Sequence, residues 1–201
     1  VIKMKFKEGK IIDRFYVKTG ELITIRFPRK SDTGGLRKYI NFLVGEKARI
    51  LLNRKQSLKE EKKWLADILE KSRKNKNVSL VAETNENIIG FYQLKRNEGS
   101  KYHTATYAAG ILKEYRKLGI TKSVFKILEC IAAENGIQLI QSSYFSDNRG
   151  SARLHKSLAF SVCGRIPKAA KFGNKYLDEV ILYKAVEKCR TRDKKEKRKM
   201  K

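Results

Sequence analysis

Two short stretches combine residue types and spacings suited to chemistry. The first is Ile111-Leu112-Lys113-Glu114-Tyr115-Arg116-Lys117-Leu118-Gly119-Ile120-Thr121-Lys122-Ser123-Val124. It reads as the end of a strand, a turn holding Arg and Gly, and the start of a long helix. A helix N-terminus fed by such a turn presents unpaired amides and the positive end of the helix dipole, a setting suited to a pyrophosphate. The second is Asn148-Arg149-Gly150-Ser151-Ala152-Arg153-Leu154-His155-Lys156-Ser157-Leu158-Ala159-Phe160. Leu154 and Leu158 lie one helical turn apart and should face the core, which leaves His155 on a neighbouring face. A histidine titrates near neutrality, and a well-placed general acid contributes about 10²–10⁴ in rate. The alternative is a polar residue lining a ligand channel without catalytic duty. His103 has no motif around it and reads as a strand-surface residue.

Positioning these stretches takes a mixed set of elements. Residues 2–27 read as extended, with Ile23, Ile25 and Phe27 alternating before Pro28 closes the strand. Ser31 and Asp32 offer N-caps for a helix carrying Leu36, Tyr39, Ile40 and Leu43. Ser57-Leu58-Lys59-Glu60 is a capping box opening a second helix, whose stripe is Leu58, Leu65, Ile68 and Leu69. Two strands, Val78–Glu83 and Asn87–Lys95, form a hairpin. A third, Tyr102–Leu112, holds Ala105, Ala108, Ala109 and Gly110, small residues that let something approach the backbone. A helix over Lys117–Asn135, a strand over Ile137–Phe145 and a short helix ending at Leu158 follow. Ala159–Arg165 and Tyr176–Ala185 are the last strands. Lone Trp64, and Tyr144 and Phe145, read as core residues. The order predicts a single α/β (α+β) sheet domain.

Composition narrows the classes. The chain has 201 residues, 41% of them hydrophobic, which suits a globular domain with a real core. The net charge is +26, part of it in a basic stretch from Glu187 to Lys201. A field of this size favours polyanions such as nucleic acid or phosphate-rich cofactors; a lysine-rich solvated surface is the plainer reading. Three widely spaced cysteines with no CxxC give no zinc pattern and suit a reducing compartment. No stretch approaches the roughly 20 apolar residues of a membrane span, and no signal-peptide core is visible. The expected location is cytoplasmic, with no metal site.

Together the two stretches resemble the GNAT superfamily of acetyl-CoA-dependent N-acetyltransferases. Arg116-Lys117-Leu118-Gly119-Ile120-Thr121 is similar to its motif Q/R-x-x-G-x-G/A, with Thr121 in the last place. Asn148, Ser151, Leu154, Leu158 and Phe160 match its later motif, N-x-x-A/S-x-x-L-Y-x-x-L-G-F; His155 stands where Tyr is usual and Ala159 where Gly is usual. The resemblance covers about residues 22–186. It implies a central mixed, mostly antiparallel sheet with helices on both faces and splayed strands forming an acetyl-CoA cleft. Ile111, Leu112 and Lys113 would offer backbone amides to the acetyl carbonyl and pantetheine. Arg116, Lys117, Leu118 and Gly119 through Ile120, Thr121, Lys122, Ser123 and Val124 would wrap the pyrophosphate. Asn148 would fix the pantetheine end, and His155 would sit near the thiol sulfur. Some relatives carry a Glu base where this chain has Ser143, and a serine does not deprotonate an ammonium. The base is then Asp147, Glu114, an acid from the first two helices, or a water chain.

The expected activity is direct transfer of acetyl from acetyl-CoA to a primary amine, a protein α-amine or lysine being weakly favoured over a small molecule. The rival is a catalytically weak module of the same fold that binds nucleic acid through its basic surface. The expected division is an N-terminal extended extension (1–19), the acetyltransferase domain (20–186) and a basic mobile tail (187–201).

Overall fold

The computed structural model describes residues 5–187; the expected tail beyond Glu187 lies outside the described residues. Eight strands form one sheet: β1 (Ile11–Tyr16), β2 (Leu22–Arg26), β3 (Asn77–Thr84), β4 (Asn87–Arg96), β5 (Thr104–Ile111), β6 (Leu139–Phe145), β7 (Ser161–Phe172) and β8 (Lys175–Ala185). Their order across the sheet is β1-β2-β3-β4-β5-β6-β8-β7. Every neighbouring pair is antiparallel except β5 with β6. The segment expected as an N-terminal extension contributes β1, which pairs with β2 at one edge.

Four helices cover the sheet: α1 (Thr33–Gly45), α2 (Leu58–Arg73), α3 (Ile120–Glu134) and α4 (Arg149–Ser157). Strand alternation sorts the core into two layers. Leu80 and Ala82 of β3 join Val124, Phe125 and Leu128 of α3 in the larger layer, with Leu158 and Phe160 at the end of α4. Val81, between them in sequence, faces the other way and meets Leu36, Tyr39 and Leu43 of α1 and Leu65 and Leu69 of α2. Each such buried aliphatic side chain contributes roughly 1.5–3 kcal/mol.

The capping box closes as the sequence indicated: Ser57 Oγ accepts from Glu60 N, and Ser57 N donates to Glu60 Oε2 at 2.8 Å. Four expectations shift. Leu58 is exposed, because it sits on the first turn before α2 reaches the sheet. Trp64 is only partly covered and meets Phe91 edge-on, with ring centroids 5.0 Å apart. The strand expected to end at Arg165 runs on through Pro167 to Phe172, which an edge strand with an irregular register permits. Cys163 is an exposed free thiol, whereas Cys130 of α3 is disulfide-bonded and departs from the free thiols expected of a reducing compartment.

What approaches the small residues of β5 is a tyrosine. The hydroxyl of buried Tyr39 lies so close to Gly110 that a Cβ there would meet it at 2.4 Å. Glycine at 110 therefore lets α1 seat against the end of β5, next to the first motif.

One carboxyl is buried at a cost. Glu61 of α2 is 5% exposed, and burial pushes its pKa up to about 7 from an ordinary 4.5. The fold therefore favours the protonated form. No penalty applies below pH 4.5; it grows as pH rises towards 7 and is complete above that, at about 3 kcal/mol. Glu61→Gln is expected to raise the unfolding free energy by about 2–3 kcal/mol at pH 8 and to change it little at pH 4. Urea denaturation at the two pH values reads this directly; an equal effect at both would contradict it.

Candidate active site

The parallel ladder between β5 and β6 is short. Thr104, Ala105 and Thr106 pair with Leu139, Ile140 and Gln141, and pairing stops there. β5 continues beside β4 to Ile111, and β6 continues beside β8 to Phe145. The two strands thus part between residues 107–111 and 142–145, leaving a notch through the middle of the sheet.

Backbone groups face this notch. Leu112 N donates to Ile89 O at 2.9 Å, so its amide is committed to the β4 side. Alternation along the strand turns the amides of Ala109 and Ile111 the other way, into the notch. Of the three residues expected to hold an acyl carbonyl and pantetheine, Ile111 is thus the one on β5 whose amide faces the notch. The Leu112 amide, against expectation, is turned away from the notch, and Lys113 lies in a single 3-10 turn. Ala109 escaped the sequence reading because strand pairing decides which amides are free.

At the far end of the notch the chain enters α3. Lys117 and Gly119 both hold left-handed conformations, with φ of 64° and 82°. Glycine does so without steric cost. Gly119 is the N-cap of α3 and provides no side-chain cap, and a Cβ built on it meets nothing within 4 Å. The first bond of the helix runs from Ser123 N to Gly119 O, which leaves the amides of Ile120, Thr121 and Lys122 ahead of it. Buried Ile120 and Val124 fix this end in the core, while Lys113, Arg116, Lys117 and Lys122 are exposed around it and Leu118 and Ser123 are half-buried. The open space, the free amides and the ring of cations fit a pyrophosphate.

Two side chains of the first motif are occupied within the protein. Thr121 Oγ1 lies 3.3 Å from the hydroxyl of fully buried Tyr92, so Thr121 serves that phenol. Arg116 donates through Nε to Ile111 O at 3.2 Å and through Nη2 to Glu46, the residue that follows α1. Its guanidinium ties the turn to α1 and to the end of β5.

The second motif packs on the α3 side of the sheet. Asn148 caps α4, its Oδ1 accepting from Ser151 N at 3.0 Å. His155 is 4% exposed, stacked on Tyr144 and edge-on to Phe160. Its Nδ1 lies 2.9 Å from Ser151 O and its Nε2 lies 2.9 Å from Ser142 Oγ. A carbonyl only accepts, so Nδ1 carries the proton. Burial holds the pKa below the usual histidine value, which favours the neutral ring with its proton on Nδ1, and Nε2 faces the Ser142 hydroxyl, which also lies 3.2 Å from Tyr107 O. His155 therefore joins α4 to β6 just where the notch opens. Ala159 follows with φ 60°, the left-handed conformation that glycine adopts freely.

The acids suggested as a base are differently placed. Asp147 is held by Arg49 Nε and Nη2 at 2.7–3.1 Å, which keeps its carboxyl below the usual range. Arg49, from the α1–α2 loop, also lies over the Phe172 ring at 4.9 Å. Glu114 is exposed on the turn after β5. Glu46 is paired with Arg116. A carboxylate the sequence reading did not consider, Glu179 of β8, accepts a hydrogen bond from Ser143 Oγ. Among the described residues no group of three or more His, Cys, Asp or Glu could hold a metal ion, and no helix is long and apolar enough to cross a membrane.

Comparison with known proteins bears on this arrangement. A family model described as the acetyltransferase (GNAT) domain matches residues 25–181. A putative acetyltransferase from Salmonella typhimurium, solved with its cofactor acetyl-CoA, has TM-score 0.71 at 21% identity, covering 86% of this chain and 98% of that one. The ribosomal-protein-S5-alanine acetyltransferase from Vibrio fischeri has TM-score 0.75 at 17% identity, covering 88% and 98%. A phosphinothricin acetyltransferase from Sinorhizobium meliloti, in complex with acetyl-CoA, has TM-score 0.72 at 17% identity, covering 82% and 88%. No curated protein sequence matches the chain.

Proposed function

The chain belongs to the GNAT acetyltransferase family, and from that premise we propose that it uses this notch to transfer acetyl from acetyl-CoA to a primary amine, a protein α-amine or lysine before a small molecule. The observation that carries the reading is the notch between β5 and β6 that runs to the uncapped, glycine-led start of α3. Acetyl-CoA supplies an acetyl thioester already activated toward nucleophiles. The amides of Ile120, Thr121 and Lys122 and the surrounding cations take the pyrophosphate. The amides of Ala109 and Ile111 orient and polarise the carbonyl. Arg116 acts through the backbone it holds, since its guanidinium is already bonded to Glu46. His155 is a positioning residue, because a neutral ring with its proton on Nδ1 has none at Nε2 to donate.

For the acceptor, the charge of +26 is the relevant quantity. A cationic surface disfavours polyamines by repulsion and favours protein amines carried near nucleic acid. Neighbours named for a ribosomal-protein alanine and for phosphinothricin share this fold, so fold alone does not choose. The test is release of CoA thiol from acetyl-CoA in the presence of an alanine-leading peptide, a peptide with an internal lysine, or spermidine. Turnover with a peptide above that with spermidine is the expected result. Turnover with none, by a folded protein, would leave the nucleic-acid-binding module as the surviving reading.

A further inference from the structure

Around Ser143 one face of the sheet is bare, while farther along it Phe145 is buried against Phe172. α1 and α2 cover β3 and β4, but on the same side Thr106, Ala108 and Ser143 are exposed. Ser142 and Tyr144 meet His155 on the opposite face, so alternation puts Gln141, Ser143 and Phe145 on this one. The register pairs Ser143 with Ile181 and Phe145 with Glu179. Glu179 therefore shares the bare face and lies diagonal to Ser143, whose Oγ donates to it. Ser143 is the first residue of β6 on this face beyond the last parallel pair, Thr106 with Gln141. The hydrogen bond thus stands at the mouth of the notch, opposite the side where α3 begins.

Glu179 is the only carboxylate that β5, β6 and β8 present on this face, since its neighbour Asp178 points away and pairs with Arg165 at 2.7 Å. Asp147 and Glu46 each have an arginine partner. Among the described residues no lysine or arginine pairs with Glu179; its contact is a neutral hydroxyl. A carboxylate with its charge uncompensated, on an open face beside a gap in the sheet, is suited to a primary ammonium.

We infer that Glu179, held by Ser143, binds the acceptor's ammonium from the open face and removes its proton. The inference rests on the transfer reading above. The ammonium gives one proton to Glu179. The freed nitrogen bonds to the acetyl carbon as the C–S bond breaks. A second proton from that nitrogen goes to the departing thiolate, giving the CoA thiol, and Glu179 returns its own proton to solvent. This supplies from β8 the base that Ser143 itself is not.

The test compares wild type with Glu179→Gln, Ser143→Ala and the double variant Glu179→Gln/Ser143→Glu. Two quantities are read: kcat/KM for thiol release with the best of the three amines above, and CoA affinity by titration calorimetry. Glu179→Gln is expected to lose about 100-fold or more in kcat/KM while CoA affinity changes less than about 2-fold. Ser143→Ala loses less than Glu179→Gln, since the carboxylate remains. The double variant, which returns a carboxylate to hydrogen-bond distance of the same spot, regains about 10-fold or more over Glu179→Gln. Glu179→Gln turnover within about 3-fold of wild type would overturn the inference, as would an equal loss of CoA affinity, which marks a structural role. A wild-type protein that does not bind CoA, or that binds it and acetylates none of the amines, would instead sink the transfer reading.

Discussion

Gly119→Glu is expected to weaken CoA binding by about 100-fold, a loss of roughly 2.7 kcal/mol. Two effects add. Gly119 holds φ 82°, a conformation from which a side chain relaxes with a gain of up to about 1–2 kcal/mol that binding must reverse, and the new side chain extends into the open space ahead of α3. Its carboxylate then meets the pyrophosphate at the position where free amides and the helix dipole favour a ligand's negative charge. Gly119→Ala separates the two, since it brings the strain without the charge, and should lose only about 10-fold. Titration calorimetry with CoA measures both. If Gly119→Glu bound CoA as wild type does, the phosphates would have to lie elsewhere.

The second large effect is on stability. Arg26 of β2 is 3% exposed and donates to both carboxylate oxygens of Asp32 at 2.8 and 2.9 Å, and to Glu83 of β3. Burial works against its charge, and the hydrogen bonds it donates to these two acids more than offset it, raising its pKa. Asp32 also accepts from Arg29 N just before α1, so the cluster fixes the first helix to the sheet. Arg26→Ala leaves buried Asp32 with only Arg29, an exposed side chain whose Nε lies 3.4 Å away, at a cost of about 3–5 kcal/mol. For a domain of this size the melting temperature should fall by about 6–20 °C. Adding Asp32→Asn removes the stranded charge and should recover part of the loss. A fall of less than about 2 °C for Arg26→Ala, at 2–4 °C per kcal/mol, would mean that water reaches Asp32 and replaces the arginine.

Local signals survived folding where they depend on neighbours in sequence. The Ser57 capping box and the glycine ahead of α3 are each set by one turn. Those signals sufficed for the element order, and the two motifs in sequence indicated the family. The misreadings involve partners distant along the chain. Arg116 looked like a free phosphate ligand until Glu46, 70 residues away, took its guanidinium. Asp147 looked like a candidate base until Arg49, 98 residues away, bound it. The carboxylate beside Ser143 comes from a strand 36 residues on, and only the β6–β8 register puts it there. The sequence leaves His155 open between donor and lining residue because it fixes the helical face but not Ser142, which meets the ring from β6. Thr121 shows the same limit, since its fit depends on the phenol of Tyr92.

The central claim is that the gap between β5 and β6, closed off by the start of α3, is an acetyl-CoA site. Titration calorimetry of the purified chain with acetyl-CoA at moderate salt tests it most directly. The predicted result is saturable one-to-one binding near the micromolar range, about −8 kcal/mol, that inorganic pyrophosphate weakens. A protein shown to be folded by its circular dichroism and cooperative melting, yet giving no binding heat at several temperatures, would contradict it.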